Sequence, residues 1–277
     1  MTPSQYRTVR NMIEARLGIL VPDGSELHVE SRILKLAQSL GIASVIDFFQ
    51  AFGTELVPDP AGALSEAMMD KETEFFRDMA DFGALQKSVL PTLVQRRAGE
   101  RRLSFWSAGC AGGQEPYSIA IFIREHFPEL LDWDLKIYAT DVIEDNAVKA
   151  RQACYTKDEV NHGLPAPLLI KYFTKIEGEW QLNEPIRLMV DVRKNNLTEP
   201  TAQVPPIDVI FLRHVLENLN GQTQERILNT IGACITPNGC LFVTESKKNP
   251  PGLDNRFHRI DLPGSSFYRP KTYVEAG

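Results

Sequence analysis

Two kinds of hydrophobic spacing divide the chain. Over residues 1–80, apolar positions recur at intervals of three and four. Tyr6, Val9, Ile13 and Leu17 fall on one helical face, and Gly18 supplies a C-terminal stop. A second helix is predicted from a Ser25 cap, carrying Leu27, Ile33, Leu34, Leu36, Ala37 and Leu40 up to Gly41. Ser44 opens a short third helix through Phe49, and Pro60 suits the first turn of a fourth that runs to about Met69. No strand pattern interrupts them, so residues 1–80 are expected to form a small all-helical domain.

From Leu103 the period changes. The runs LSFWSAG, LKIYAT, IRLMVDV, DVIFL and GCLFVTES are short, apolar and rich in β-branched residues. Helical stretches near 115–127, 143–153 and 222–235 separate several of them, and that alternation predicts a mostly parallel sheet covered on both faces. In such sheets ligands bind beyond the carboxyl ends of the strands, where the strand order reverses. Residues 81–277 are therefore read as one α/β domain. Between 155 and 190 the alternation breaks: Tyr155, Gly163, Tyr172, Phe173, Gly178 and Trp180 fall in a turn-rich segment that reads as a small insertion. No repeat and no low-complexity tract is visible.

Composition narrows the choices. The chain has 277 residues, 43% hydrophobic and 24% charged, which is ordinary for a globular protein. No apolar run approaches the roughly 18–20 residues that cross a bilayer, and the first residues lack the apolar core of a signal peptide. A cytoplasmic location without membrane insertion is expected. Cys110, Cys154, Cys234 and Cys240 are scattered, with no C-x-x-C pair and no His at metal spacing, so they read as reduced thiols and no metal is expected. The net charge of −6 argues against nucleic acid as a partner. The basic cluster QRRAGERR at Gln95–Arg102 reads as a solvated linker.

Three motifs carry candidate chemistry. In FWSAGCAGGQEPYSIA (Phe105–Ala120), an apolar strand runs into Gly109, Gly112 and Gly113, and a helix follows from about Gln114. Glycines there let the backbone turn tightly and approach a ligand. The spacing is neither a G-x-G-x-x-G nor a phosphate-binding loop. Glu115, at the start of the helix, is placed to meet a cationic group, and it would also stabilise the helix N-terminus by itself. LKIYATD then ends in Asp141, where α/β folds hold ribose hydroxyls. Asp141 can also cap the following helix, and the two roles are compatible. In KETEFFRD (Lys71–Asp78), Phe75 and Phe76 read as core, while Thr73 and Arg77 are four apart and would share one helical face. Arg77 is placed to pair with a ligand carboxylate, or with Glu74 or Asp81.

With these motifs in view, the chain resembles the chemotaxis receptor methyltransferase family (CheR type) over nearly its whole length. The resemblance lies in the helical amino-terminal part, FFRD, SAGCAGGQEPYSIA, ATD, the Asn196-Leu197 pair, DVIFLRHVLENL and the TPNGCLFV strand. It implies a Rossmann-like S-adenosylmethionine-dependent methyltransferase domain with a small β-insertion over 155–190, preceded by the all-α domain. It implies further that Glu115 meets the amino group of the cofactor's methionine part, Asp141 the ribose, and Asn196 and Leu197 the adenine. Lys71 and Gly109 would join this cofactor pocket. Thr73 and Arg77 would lie near the methionine end and the incoming carboxylate, and Arg213 near the methyl group. Arg77 and Arg213 are thus the candidate catalytic residues.

The reaction so implied is O-methylation of glutamate side chains, with the cytoplasmic helical region of membrane chemoreceptors or related signalling proteins as acceptor and S-adenosylhomocysteine as product. The sequence departs from the family pattern at three places. Lys71 stands for an Asn, His214 for an Asn, and Asn218 for a Tyr beside the transferring methyl. Residues 1–80 also hold seven Lys/Arg against twelve Asp/Glu, a net of −5, where the family often presents a basic helix to acidic receptors. These departures support an alternative: a catalytically weakened cofactor-binding regulatory or scaffold protein of a chemosensory pathway. A third reading gives His214 and Glu217 the part of a base for an amine or hydroxyl acceptor, against the plainer reading of an exposed helix face.

Overall fold

The computed structural model describes residues 1–21, 23–69, 73–199, 204–244 and 249–272. The chain forms two compact units. One comprises residues 1–70 with 217–224, the other 71–216 with 225–277. The boundary expected near residue 80 therefore lies at 70/71, and the segment 71–80 belongs with the sheet. The reason is local. Phe75 and Phe76 are buried in the core of the second unit, not that of the first.

In the first unit, α1 (Pro3–Leu17) starts from Thr2, whose side chain accepts from the Gln5 amide while the Gln5 side chain accepts from the Thr2 amide. It ends at Gly18, whose φ of 69° only a glycine adopts without strain. Tyr6, Val9 and Ile13 pack against Val29, Ile33 and Ala37 of α2 (Glu26–Ser39), Phe48 of α3 (Val45–Gln50) and Leu64 in α4 (Pro60–Met68). Within α2 the register differs from expectation. Val29 is buried whereas Leu27 is 83% exposed, because the 29/33/37 spacing fills the facing core and leaves residue 27 on the opposite side. Residues 217–220 lie antiparallel to residues 18–20 in this unit: the Leu20 amide donates to Asn218 O (2.7 Å) and the Asn220 amide to Gly18 O (2.7 Å).

The second unit is built on a seven-stranded sheet. Its strands are β1 (Arg102–Ala108), β2 (Asp134–Asp141), β6 (Val190–Lys194), β7 (Ile207–Leu212), β8 (Ile235–Val243), β9 (Phe257–Leu262) and β10 (Ser265–Pro270). Their order is β6-β2-β1-β7-β8-β10-β9, parallel from β6 to β8 and antiparallel at β10 and β9. This is the doubly wound architecture expected from the alternation. The strand order reverses between β1 and β7, and in such sheets ligands bind beyond the carboxyl ends at that point. Every residue of β7 is buried, as both faces of a covered sheet require.

Three features differ from the sequence reading. IRLMVDV is not one strand: Glu184–Arg187 forms a helical turn (α11) before β6 begins at Val190, since Pro185 sits at the first turn of the helix. A helical run through α5 (Met79–Ala84), a π-turn at Leu85–Val89 and α6 (Leu90–Arg97) precedes the sheet. The β9–β10 hairpin closes it. Between α8 (Glu144–Gln152) and β6 lies a separate antiparallel sheet of order β3-β5-β4, formed by Cys154–Tyr155, Glu179–Leu182 and Phe173–Ile176, with helices Lys157–Asn161 (α9) and Ala166–Tyr172 (α10). No helix among the described residues is long and apolar enough to cross a membrane.

Candidate functional site

The site is built at the ends of β1, β2 and β7. β1 delivers the chain into the turn Gly109–Gly113, and α7 (Gln114–His126) leaves from it. Gly109 has φ 89°, and a Cβ there would stand 2.5 Å from Val215 Cγ2. The amides of Gly109 and Cys110 both donate to Thr140 O (2.8 and 2.9 Å), which fastens the turn to the end of β2. The Ala111 amide donates to Asp141 Oδ2 (2.9 Å), a second tie to the same strand. On the other side, the Tyr155 hydroxyl of the small sheet donates to Gly112 O (3.0 Å).

Asp141 thus has a structural part whatever else it does. Its Oδ1 accepts from the Ile143 amide (2.9 Å) and from Asn146 Nδ2 (3.1 Å), which steadies the entry to α8. Ile143, not Asp141, occupies the capping position of that helix. The Asn195 amide donates to Asp141 O (2.8 Å), so Asn196 and Leu197 follow β6 directly beside this strand end. Asn196 Oδ1 closes a local turn with the Thr198 amide and hydroxyl (3.1 and 2.8 Å), and Leu197 is buried.

Glu115 lies one residue into α7, and its Oε1 accepts from Ser107 Oγ at 2.6 Å. Burial pushes its carboxyl up to about 7; the Ser107 hydrogen bond and the Arg213 charge oppose that shift, and Asp78 adds to it.

At the end of β7, Arg213 is held on three sides. Its Nε donates to Asp78 Oδ2 (3.1 Å), Nη2 stands 2.9 Å from the same oxygen, and Nη1 donates to Val243 O (2.8 Å) and stands 3.0 Å from Asp81 Oδ2. His214 Nε2 is 3.0 Å from Asp78 Oδ2, and the His214 amide donates to Thr244 Oγ1 (2.6 Å). The hydrogen bond from His214 and the Arg213 charge hold the Asp78 carboxyl down at about 2, against the opposing effect of burial.

The FFRD segment is not helical, so Thr73 and Arg77 do not share a helix face. It is instead an irregular turn in which Phe76 and Asp78 take positive φ values of 51° and 57°. The Phe75 ring meets Tyr155 and Phe173 edge-on at 5.0 and 5.7 Å, and the Phe76 amide donates to Ser118 Oγ (2.9 Å). These contacts seat the turn between α7 and the small sheet. Lys71 lies outside the described residues.

Gly109, Glu115, Asp141, Asn196, Leu197 and Arg213 accordingly follow four neighbouring strands of one sheet, and Arg77 precedes Asp78, to which Arg213 is bound. Sequence reasoning assigned no part to Asp78 or Ser107 and named Asp81 only as a candidate partner of Arg77. Asp78 stood within the quoted motif, but its partners are 135 and 136 residues away, and nothing local announces them. Among the described residues no group of three or more His, Cys, Asp or Glu is arranged to hold a metal ion.

The residues present fit S-adenosylmethionine. A carboxyl held near neutrality by burial gains most from a nearby cation, and Glu115 is such a group at a strand end. The missing Cβ of Gly109 makes room for Val215 Cγ2, which lets the turn between β1 and α7 close tightly beside Glu115.

Comparison with known proteins agrees. The model of the family "CheR methyltransferase, SAM binding domain" matches residues 71–264. "Chemotaxis protein methyltransferase Cher2" of Pseudomonas putida is 30% identical over 274 residues, covering 96% of this chain and 98% of the relative. "Chemotaxis protein methyltransferase 1" of Pseudomonas aeruginosa is 30% identical over 278 residues, with 97% and 98% covered. "Chemotaxis protein methyltransferase 2" of Vibrio cholerae is 28% identical over 250 residues, with 89% and 86% covered. The chain belongs to the CheR methyltransferase family, with a Rossmann-like domain that binds S-adenosylmethionine.

Proposed function

We propose that this chain methylates glutamate side chains of chemoreceptor-type signalling proteins, forming glutamyl methyl esters. The observation that supports this most is the charge arrangement at the strand ends, where a partly buried Glu115 faces the field of an Arg213 already held by two carboxylates. The cofactor, when bound, supplies an electrophilic methyl on a sulfonium with a neutral thioether as leaving group. Glu115 would meet its amino group, Asp141 its ribose, and Asn196 with Leu197 its adenine, at the turn that Gly109 opens.

A glutamate acceptor suits this site because its carboxylate, with a reference pKa of about 4.3, is ionised at neutral pH. No side chain has to remove a proton. The work left to the protein is placement, and holding two reactants in line supplies on the order of 7–11 kcal/mol. Arg77 is the residue we assign to the incoming carboxylate. Arg213 is held in place, with Nε donating to Asp78, Nη1 donating to Val243 O and the Asp81 carboxylate 3.0 Å away.

The experiment combines purified protein, methyl-labelled cofactor and membranes from the same cell, with release of label by mild base. Base-labile label on a membrane protein is the expected result. Absence of label while the cofactor binds in the same tube would favour a regulatory cofactor-binding protein, the reading that Lys71 and Asn218 support through their departure from the family pattern.

A further inference from the structure

One guanidinium at this site has two carboxylates. Arg213 carries a permanent charge on a side chain only 10% exposed, and a single acid would balance it. Instead Asp78 Oδ2 stands 2.9 Å from Nη2 and Asp81 Oδ2 stands 3.0 Å from Nη1. The second acid is itself fixed, for Asp81 Oδ1 accepts from Ser265 Oγ (2.6 Å) on β10. Asp78 reaches its place through a left-handed backbone with φ 57°, and His214, its other partner, has φ 57° as well. Two such conformations at non-glycine residues persist where surrounding contacts over-determine them. Two carboxylates therefore face one guanidinium, and the Arg213 charge is met on two sides.

We propose that Asp78 and Asp81 are positioning residues for the cationic end of the cofactor: by turning Arg213 toward themselves and cancelling its charge, they let a sulfonium sit at the ends of β1 and β7. The inference rests on the cofactor site assigned around Glu115. Without the acids, the Arg213 charge would face a ligand that brings an ammonium and a sulfonium together. Glu115 feels both sides of the cluster, as attraction from Arg213 and repulsion from Asp78.

The consequence is a charge-dependent discrimination. S-adenosylmethionine carries one more positive charge than S-adenosylhomocysteine, and the two are otherwise almost the same shape. Removing an acid therefore weakens the first more than the second. A unit charge acting over several ångströms at a half-screened site changes an affinity by roughly three- to thirtyfold.

Calorimetry on the full chain with both ligands tests this. Asp78→Asn keeps a residue type at home in the left-handed region, and Asp81→Asn supplies an independent variant should the first fail to fold. The ratio of the two dissociation constants should move against S-adenosylmethionine by at least about threefold in either variant, and Asp78→Glu should restore it. Equal weakening of both ligands means a merely structural role and overturns the proposal, as does an unchanged ratio. A wild-type protein that binds neither ligand instead sinks the cofactor site itself, and this inference with it.

Discussion

The Ser107 hydroxyl donates to Glu115 Oε1 at 2.6 Å, across the turn that joins β1 to α7. A serine next to the last residue of β1 thereby fixes a carboxylate at the start of a helix, in a place where burial makes the charged form costly.

The first prediction follows from that cost. The Glu115 carboxyl is raised from its ordinary 4.5 to about 7, so the folded protein holds a proton that the unfolded chain has lost. Stability from this group is greatest at low pH and falls as pH rises from about 4.5 through about 7, by at most about 3 kcal/mol and less after solvent screening. Glu115→Gln should raise the melting temperature of the ligand-free protein at pH 8 and leave it nearly unchanged at pH 5. The same variant should lose ten- to a hundredfold or more in cofactor affinity, roughly the worth of a charge-assisted hydrogen bond. In the wild type, cofactor binding should weaken as pH falls through about 7. Calorimetry across pH 5.5–8.5 checks both; a flat wild-type profile would count against Glu115 as the partner of a cation.

Asp141→Asn separates the two tasks of that residue. An amide oxygen can still accept from the Ile143 and Ala111 amides, one of them at a time, so the turn and α8 should survive with a loss of about 1–2 kcal/mol. Loss of the paired O–H···O⁻ bonds to a ribose should cost more, about 2–3 kcal/mol in cofactor binding. Chemical denaturation beside calorimetry measures the two quantities. If stability drops as much as affinity, holding the turn and the entry to α8 is the residue's main task.

Much of this architecture was legible because local signals and tertiary structure agree. The 3/4 spacing of Tyr6, Val9 and Ile13 marks a buried face, and Gly18 stops the helix where a left-handed residue is required. The run into Gly109 and the position of Asp141 placed two strand ends correctly in the sheet. The failures share a cause. Leu27 looked like core because periodicity alone cannot choose between two overlapping apolar registers, and only the packing of Val29 against its neighbours decides. The FFRD turn looked helical because a spacing of four suits a helix, whereas Phe75 and Phe76 are pulled into contacts with Tyr155 and Ser118 that no helix would satisfy. Asp78 and Arg213 meet over a gap of 135 residues, and a pairing of that range leaves no trace in spacing.

Gly109 offers a test of the turn itself. Gly109→Ala meets two obstacles, a Cβ placed 2.5 Å from Val215 Cγ2 and a backbone at φ 89°. The clash should cost about 1–3 kcal/mol and the backbone about 1–2 kcal/mol more. Adding Val215→Ala removes the near methyl but not the strained backbone, so the double variant should recover roughly half of what Gly109→Ala loses beyond the cost of Val215→Ala alone. A double-mutant cycle by urea denaturation reads this coupling. Strict additivity would mean that Val215 yields freely and that the whole loss is backbone strain.

Asp78 carries the last prediction, on stability alone. Its carboxyl is held down at about 2 from an ordinary 3.8, by the hydrogen bond from His214 and the charge of Arg213. The folded state therefore binds fewer protons than the unfolded chain, and the stabilisation is present above about 4 and lost as pH falls toward 2. Since the side chain is nearly a third exposed, the contribution is below about 2 kcal/mol. Asp78→Asn should be less stable than the wild type at pH 7, with a difference that shrinks steadily below pH 4. Asp78→Ala should lose about 1 kcal/mol more than Asp78→Asn at every pH, because alanine tolerates φ 57° poorly while asparagine accepts it. Denaturation curves at pH 7, 5, 4 and 3 separate the two effects: one bends with pH and the other does not. Equal losses for the alanine and asparagine variants would show that the left-handed turn at Asp78 is not what these residues sustain.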